Sequence, residues 1–325
     1  MNDQASLRTA FLDYLQAQKI QRAPQNLYEP VNYIMDLGGK RMRPVLLLMS
    51  HALYSDQVKS ALPAAYALEV FHNFTLLHDD IMDEAPLRRG QPTVHEVYDE
   101  NTAILSGDAM MILSYTYLQS LPADILPQVF TIFNRFALEV CEGQQYDMDF
   151  ETTSDVTIPA YLKMIELKTS VLLAGAMEIG ALIGGANQED ASHLAEFGRH
   201  VGIAFQLQDD ILDTFGDPKK FGKKVGGDIA QNKKTYLYLK ALELADDATE
   251  DRLRYIYNDK TDIVESDKIE QVKALFTQVQ VRDHAEALKL DYLSKGLAHL
   301  EAVRVSAEKK TELRAFAEQL MDRET

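Results

Sequence analysis

The chain has 325 residues, 46% of them hydrophobic and 26% charged, which is ample material for a large buried core. Lys and Arg number 33 against 50 Asp and Glu, so the net charge is −17. That balance excludes a general binder of nucleic-acid backbones and broad adhesion to anionic membranes, and it leaves any anionic ligand to be held by local basic clusters or metal ions.

In chain order, residues 1–19 lack the apolar core of a signal peptide, and Phe11, Leu12 and Leu15 share a helical face. Apolar helical stretches follow at 44–53, 60–83, 101–120, 126–150, 169–184 and 191–215. Several are apolar on more than one face, as central helices of a large bundle are. The longest uncharged run, Ala109–Ala123, is too short and too polar to span a bilayer, so no transmembrane segment is expected. Residues 246–325 are more charged and amphipathic and read as outer helices, with Leu313, Phe316 and Leu320 on one face. Runs of alternating β-branched residues are missing, and no Ser- or Gly-rich linker divides the chain. The expectation is an all-α fold, one domain over 1–325. The lone Cys141 rules out an internal disulfide and, lying in the apolar stretch 136–141, reads as a buried structural thiol; a reducing, cytoplasmic setting is expected.

One internal echo stands out. Asp79-Asp80-Ile81-Met82-Asp83 is answered 130 residues later by Asp209-Asp210-Ile211-Leu212-Asp213. Each closes a long apolar helix and runs into a Gly/Pro/basic loop. At i and i+4, Asp79 and Asp83 lie on one helix face, as do Asp209 and Asp213, while Asp80 is turned roughly a quarter-turn away. Like charges so placed repel each other and oppose the helix dipole unless a cation binds between them. Such carboxylates suit Mg²⁺, whose shell keeps waters and accepts phosphate oxygens. The bland reading, two solvated acidic helix ends, explains one copy better than it explains two.

Cations accompany both copies. Gly38-Gly39-Lys40-Arg41-Met42-Arg43-Pro44 puts two glycines and three cations at the start of an apolar helix, an arrangement that binds anions. Arg88-Arg89-Gly90-Gln91-Pro92-Thr93 follows the first acidic motif, and Lys219–Lys224 follows the second. Lys168-Thr169 interrupts a helical region, and His72 sits two turns before Asp79 on the same face. Carboxylates that hold metal beside cations that do not make a polyphosphate clamp. The helices below the carboxylates are apolar, with Phe71, Phe74 and Leu76 in one and Ile203, Phe205 and Leu207 in the other. A charged rim above an apolar shaft fits an amphiphile with a diphosphate head and a hydrocarbon tail.

With these motifs in this order over about residues 30–240, together with Phe205–Asp213, Gly222-Lys223 and Asn232-Lys233, the chain resembles the trans-isoprenyl diphosphate synthases, the head-to-tail polyprenyl synthetases. The resemblance implies a helical bundle around a central cavity. It implies condensation of isopentenyl diphosphate with an allylic diphosphate, assisted by three Mg²⁺ per active site, in a homodimer. It makes Asp79, Asp83 and Asp209 the principal Mg²⁺ ligands with Asp213 and Asp80 in support, and counts Asp210 among the catalytic carboxylates. Lys40, Arg43, His72 and Arg89 would hold isopentenyl diphosphate; Arg88, Lys168, Thr169, Gln206, Lys223 and Lys233 would grip the allylic diphosphate. Phe74, five residues before Asp79, with Thr75 and Phe71 beside it, would set chain length. An aromatic at that position without an insertion in the motif resembles the geranylgeranyl type, with farnesyl diphosphate second. The competing readings are a class I terpene cyclase, which usually replaces the second acidic motif and lacks residues 38–44, and a non-catalytic subunit, which tends to lose a motif this chain keeps.

Overall fold

A computed structural model describes residues 3–217, 225–258 and 262–321. Helices dominate it: α1 (Gln4–Ala17), α2 (Gln25–Asp36), α3 (Met42–Ala52), α4 (Leu62–Met82), α5 (Val94–Val97), α6 (Glu100–Leu118), α7 (Leu126–Thr152), α8 (Ile158–Ile165), α9 (Val171–Gly184), α10 (Gln188–Phe215), α11 (Gly227–Ala230), α12 (Tyr236–Leu244), α13 (Asp247–Ile256), α14 (Glu265–Gln278), α15 (Val281–Ala302) and α16 (Ala307–Met321). Among the described residues the strands are β1 (Leu87–Arg88) and β2 (Gln91–Pro92), one antiparallel pair. The six apolar stretches read from sequence become α3, α4, α6, α7, α9 and α10.

Packing divides the chain into two compact units: residues 1–134, 175–195 and 303–313, and residues 135–174, 196–302 and 314–325. In the first, Phe11, Leu47, Ala65, Leu68, Phe71 and Phe133 are fully buried. Here α4 begins with Pro63 in its first turn, where a missing N–H removes no helical bond. The Asp99 carboxylate starts α6 by accepting the N–H of Thr102 at 2.9 Å. In the second unit, α8, α10 and α11–α15 enclose their own core, with Leu207, Leu237, Leu253, Ile256, Val272 and Phe276 inside. The segment expected to be an outer layer therefore supplies part of that core.

Two sequence expectations need correction or qualification. Cys141 is exposed on α7, not buried, because the apolar face of α7 is carried by Phe133, Phe136, Ala137 and Val140. Its thiol is nevertheless pushed above the ordinary range, first by partial burial and then by Glu142, which makes it a poor nucleophile. The run Ile158–Gly184 is long and apolar enough to cross a membrane, but 78% of its most apolar window is buried inside the fold, as in a core helix.

Candidate active site

In the first unit the site grows from the C-terminal end of α4. Helical spacing stacks Asp79 and Asp83, and the Asp83 N–H donates to the Asp79 carbonyl at 2.9 Å. Asp80 points inward and is 2% exposed. Burial raises its carboxyl pKa, and Arg88 offsets part of the shift. The Arg88 Nε lies 2.8 and 2.7 Å from the two Asp80 oxygens, and its Nη2 lies 2.6 Å from Oδ1 and 3.7 Å from Asp79 Oδ2.

The β1–β2 hairpin aims this arginine. Its turn residues Arg89 and Gly90 have φ of 55° and 75°, the twist a two-residue hairpin prefers. Thr93 closes the base, its hydroxyl donating to the Ala85 carbonyl at 2.8 Å. The same turn sends the Arg89 guanidinium to the Gly38 carbonyl. It lies so close over Gly39 that a Cβ there would sit 2.8 Å from Arg89 Cζ, and Gly39 itself has φ 116°. The glycine pair is thus needed both for its backbone and for this contact, and the two basic clusters become one.

Arg43 Nη1 lies 3.0 Å from His72 Nε2, so the arginine N–H donates a hydrogen bond to the imidazole nitrogen. Burial and the charges of Arg43, Arg89, Arg88 and Arg41 hold the imidazole pKa well below its ordinary value, which keeps it neutral. Lys40 is exposed at the rim. Arg41 departs from its neighbours: it is buried, pairing with Glu69 at 2.5 Å and with the Met35 carbonyl. Below the carboxylates, the Phe74 ring lies 5.6 Å from Phe71 and 4.9 Å from His78, and Phe71 packs on Phe133 at 5.3 Å. Thr75 turns its hydroxyl back to the His72 carbonyl at 2.8 Å.

In the second unit α10 presents Asp209 and Asp213. Asp210 is 3% exposed and turned inward, where the Tyr161 hydroxyl donates to Oδ2 and the Gln206 amide to Oδ1 at 3.1 Å. Burial, then the charge of Asp228, drives the Asp210 pKa well above the usual carboxylate range. Gln206 in turn accepts the Thr169 hydroxyl at 3.2 Å. Lys168 and Thr169 lie in a π-helical turn, Glu166–Ser170, a device that re-aims side chains at functional sites. Lys168 Nζ reaches Asp147 Oδ2 at 2.6 Å. Asp213 starts α11: its Oδ2 accepts the Asp228 N–H at 3.0 Å. Burial and Asp213 push the Asp228 pKa up to about 6, against the pull of Lys233. Lys223 lies outside the described residues.

The structure therefore separates the expected carboxylates. Asp79, Asp83, Asp209 and Asp213 are presented at the helix ends, whereas Asp80 turns inward to Arg88 and Asp210 to Tyr161 and Gln206. Three contributors escaped the sequence reading: Asp147, Tyr161 and Asp228. For Asp147 a signal existed in Gly143, a mid-helix glycine one turn earlier; a Cβ there would lie 2.2 Å from the Lys168 backbone nitrogen, so α7 and the π-turn meet at that point. Tyr161 and Asp228 carried no comparable signal, being a lone aromatic and a lone acid.

The donor set fits Mg²⁺. At each helix end, taken by itself, the two presented groups are hard oxygen donors. Beside Asp213, burial first and the neighbouring carboxylate second raise the Asp228 pKa, while Lys233 lowers it.

Residues 24–277 match the model of the polyprenyl synthetase family. The chain belongs to that family. It is 38% identical to the geranylgeranyl diphosphate synthase of Methanosarcina mazei over 304 residues, 93% of this chain and 91% of the relative. It is 36% identical to the geranylfarnesyl diphosphate synthase of Natronomonas pharaonis over 299 residues, 86% and 85% of the two. A crystal structure of a geranylgeranyl pyrophosphate synthase superposes with a TM-score of 0.95 at 47% identity, covering 100% of both chains. As a polyprenyl synthetase the protein is a prenyltransferase that joins prenyl units head to tail, and the terpene-cyclase reading falls away. Polyprenyl synthetases generally depend on Mg²⁺, in keeping with the oxygen donors at both helix ends.

Proposed function

We propose that the protein makes geranylgeranyl diphosphate from isopentenyl diphosphate and allylic primers, as a cytoplasmic homodimer using three Mg²⁺ per active site and one catalytic domain. Asp79, Asp83, Asp209 and Asp213 would hold the metal ions. When bound, Mg²⁺ neutralises the allylic diphosphate and eases its departure. Arg88, Lys168, Thr169, Gln206, Lys223 and Lys233 orient that leaving group. Lys40, Arg43, His72 and Arg89 hold isopentenyl diphosphate, with neutral His72 as a hydrogen-bonding group and the two arginines as the charge. The allylic C–O bond breaks and its electron pair leaves with diphosphate. The double bond of isopentenyl diphosphate then attacks the allylic carbon to form the new C–C bond, and a proton is lost to the released diphosphate. The apolar wall below Asp79 keeps water from the cation. For the homodimer, the supporting feature is the outer face of α6, where Leu105 and Ile112, seven residues apart, are 59% and 68% exposed.

Phe74 carries the product assignment. Five residues, about 7.5 Å, along α4 from Asp79, its ring is braced by Phe71 and His78. A growing prenyl tail descending α4 would meet this ring. The test is chromatography of products from wild type and Phe74→Ala with Mg²⁺, isopentenyl diphosphate and each primer. Wild type should stop at twenty carbons, and Phe74→Ala should lengthen products by one or more five-carbon units. An unchanged distribution in a folded, active variant would remove Phe74 as the floor.

A further inference from the structure

On the second unit, away from the aspartate motif, Glu196 and His200 stand one helical turn apart on α10, and His299 faces them from α15. One donor atom from each lies within 4.8 Å of the other two. We propose that these three residues form a site for a borderline divalent transition ion, of which zinc is the simplest representative, clamping α10 to α15.

The arrangement is built rather than incidental. The two helices approach closely at Gly296, one turn before His299: a Cβ there would meet Val201 Cγ2 at 3.3 Å and His200 Cβ at 3.4 Å. The imidazoles of His200 and His299 lie side by side, centroids 5.4 Å apart and planes 23° apart. The His200 Nδ1 is 2.8 Å from the Glu196 carbonyl oxygen and 3.9 Å from its carboxylate Oε2; an N–H donated to the carbonyl leaves the ring's lone pair on Nε2. A backbone carbonyl orienting the far side of an imidazole is the usual outer support of a metal-binding histidine. Glu196 is supported too: Arg199 Nε donates to its Oε1 at 3.2 Å, and Arg199 is anchored through Nη1 to Glu166 at 2.6 Å. The cluster is half-buried, with the Glu196 side chain 39% and that of His200 19% exposed, so an ion can enter and keep water in its remaining position.

Ligand chemistry sets the choice of ion. Two neutral imidazoles and one carboxylate suit zinc and its neighbours; Mg²⁺ prefers oxygen donors alone. His200 is nine residues, about 13 Å, from Asp209 along α10. The two sites therefore use different ligands and select different ions on one helix, and filling the second ties the helix that bears the acidic motif to its neighbour.

The test is calorimetric titration of EDTA-stripped, desalted full-length protein with ZnCl₂ in excess Mg²⁺, which occupies the aspartate motifs. Wild type should take up one zinc per chain, and zinc should raise its thermal midpoint. His299→Ala and His200→Gln should each weaken binding at least as much as losing an outer-sphere partner does, roughly 10–100-fold, and should abolish the midpoint shift. Asp209→Ala should bind zinc as wild type does. Circular dichroism establishes folding, and His299→Ala should retain Mg²⁺-dependent prenyl transfer. Absence of zinc uptake by wild type overturns the proposal. So does undiminished uptake by folded His299→Ala, or loss of uptake in Asp209→Ala, which would assign the zinc to the acidic motif.

Discussion

At the end of α4 the inner aspartate, Asp80, meets the guanidinium of Arg88; at the end of α10 its counterpart, Asp210, meets the phenol of Tyr161 and the amide of Gln206. The five-residue pattern is the same, and so is the inward turn of the second aspartate. The compensation differs. In the first unit a full positive charge offsets the buried carboxylate. In the second, neutral donors hold it and draw its pKa down, but burial, then the charge of Asp228, carries it well above the ordinary range, and burial with Asp213 brings nearby Asp228 to about 6. A repeated motif therefore does not imply a repeated environment: the inner aspartate of the first end meets an arginine, and that of the second meets neutral donors.

The largest expected effects come from the outward carboxylates, where the two ends should behave alike. Asp79→Ala and Asp209→Ala should each remove several kcal/mol of transition-state stabilisation, a near-complete loss of turnover. Turnover across a Mg²⁺ titration, with circular dichroism as the folding control, is the measurement. Activity within about tenfold of wild type, a loss of only ~1.4 kcal/mol, would sink the metal assignment.

At the inner positions the ends should part. Asp80→Asn removes the nearer charge partner of Arg88, leaving only Asp79 Oδ2 at 3.7 Å, and should destabilise the fold by about 1.5–3 kcal/mol, the range for hydrogen bonds to charged groups. Asp210→Asn keeps the shape and the neutrality its surroundings favour, and the Tyr161 hydroxyl can rotate to accept. Its loss should stay below about 1 kcal/mol. Urea unfolding of both variants reads the difference; equal losses would mean that Asp210 is held charged and that the contrast is false.

Smaller still are the effects on substrate affinity. Arg43→Ala and Arg89→Ala in the first unit should raise KM for isopentenyl diphosphate by roughly tenfold, about 1.4 kcal/mol each, while Lys168→Ala in the second should act on the allylic KM. Two-substrate kinetics decides, and a reversed pattern would show that the two diphosphate positions have been exchanged.

Much of this was legible in the chain. Residues 60–83 and 191–215 had to be helices because their apolar residues recur at helical spacing, and that spacing alone puts Asp79 with Asp83 and turns Asp80 aside. The pairing of the first acidic end with its basic loop was equally readable, because charge is a property of composition; Lys219–Lys224 lie outside the described residues. The interruption at Lys168-Thr169 was visible as a break, though not as a π-turn. Cys141 was misread because an apolar stretch of helix shows which residues are hydrophobic, and only its packing shows which face is covered.

What the sequence determined by itself is what depends on local periodicity and residue chemistry: the all-α class, the acidic helix ends, and the carboxylates that share a face. Only the tertiary structure decided the partners. It chose Arg43 for His72 and consigned adjacent Arg41 to Glu69; it joined Arg89 to Gly38 across 51 residues, Lys168 to Asp147, Asp210 to Tyr161, and His299 to Glu196 and His200. The reason is physical. A helical period fixes the angle between residues of one helix, whereas the partner across a gap is set by which backbones can approach, and that depends on small residues such as Gly39, Gly143 and Gly296 whose meaning appears only when the opposing atoms are in place.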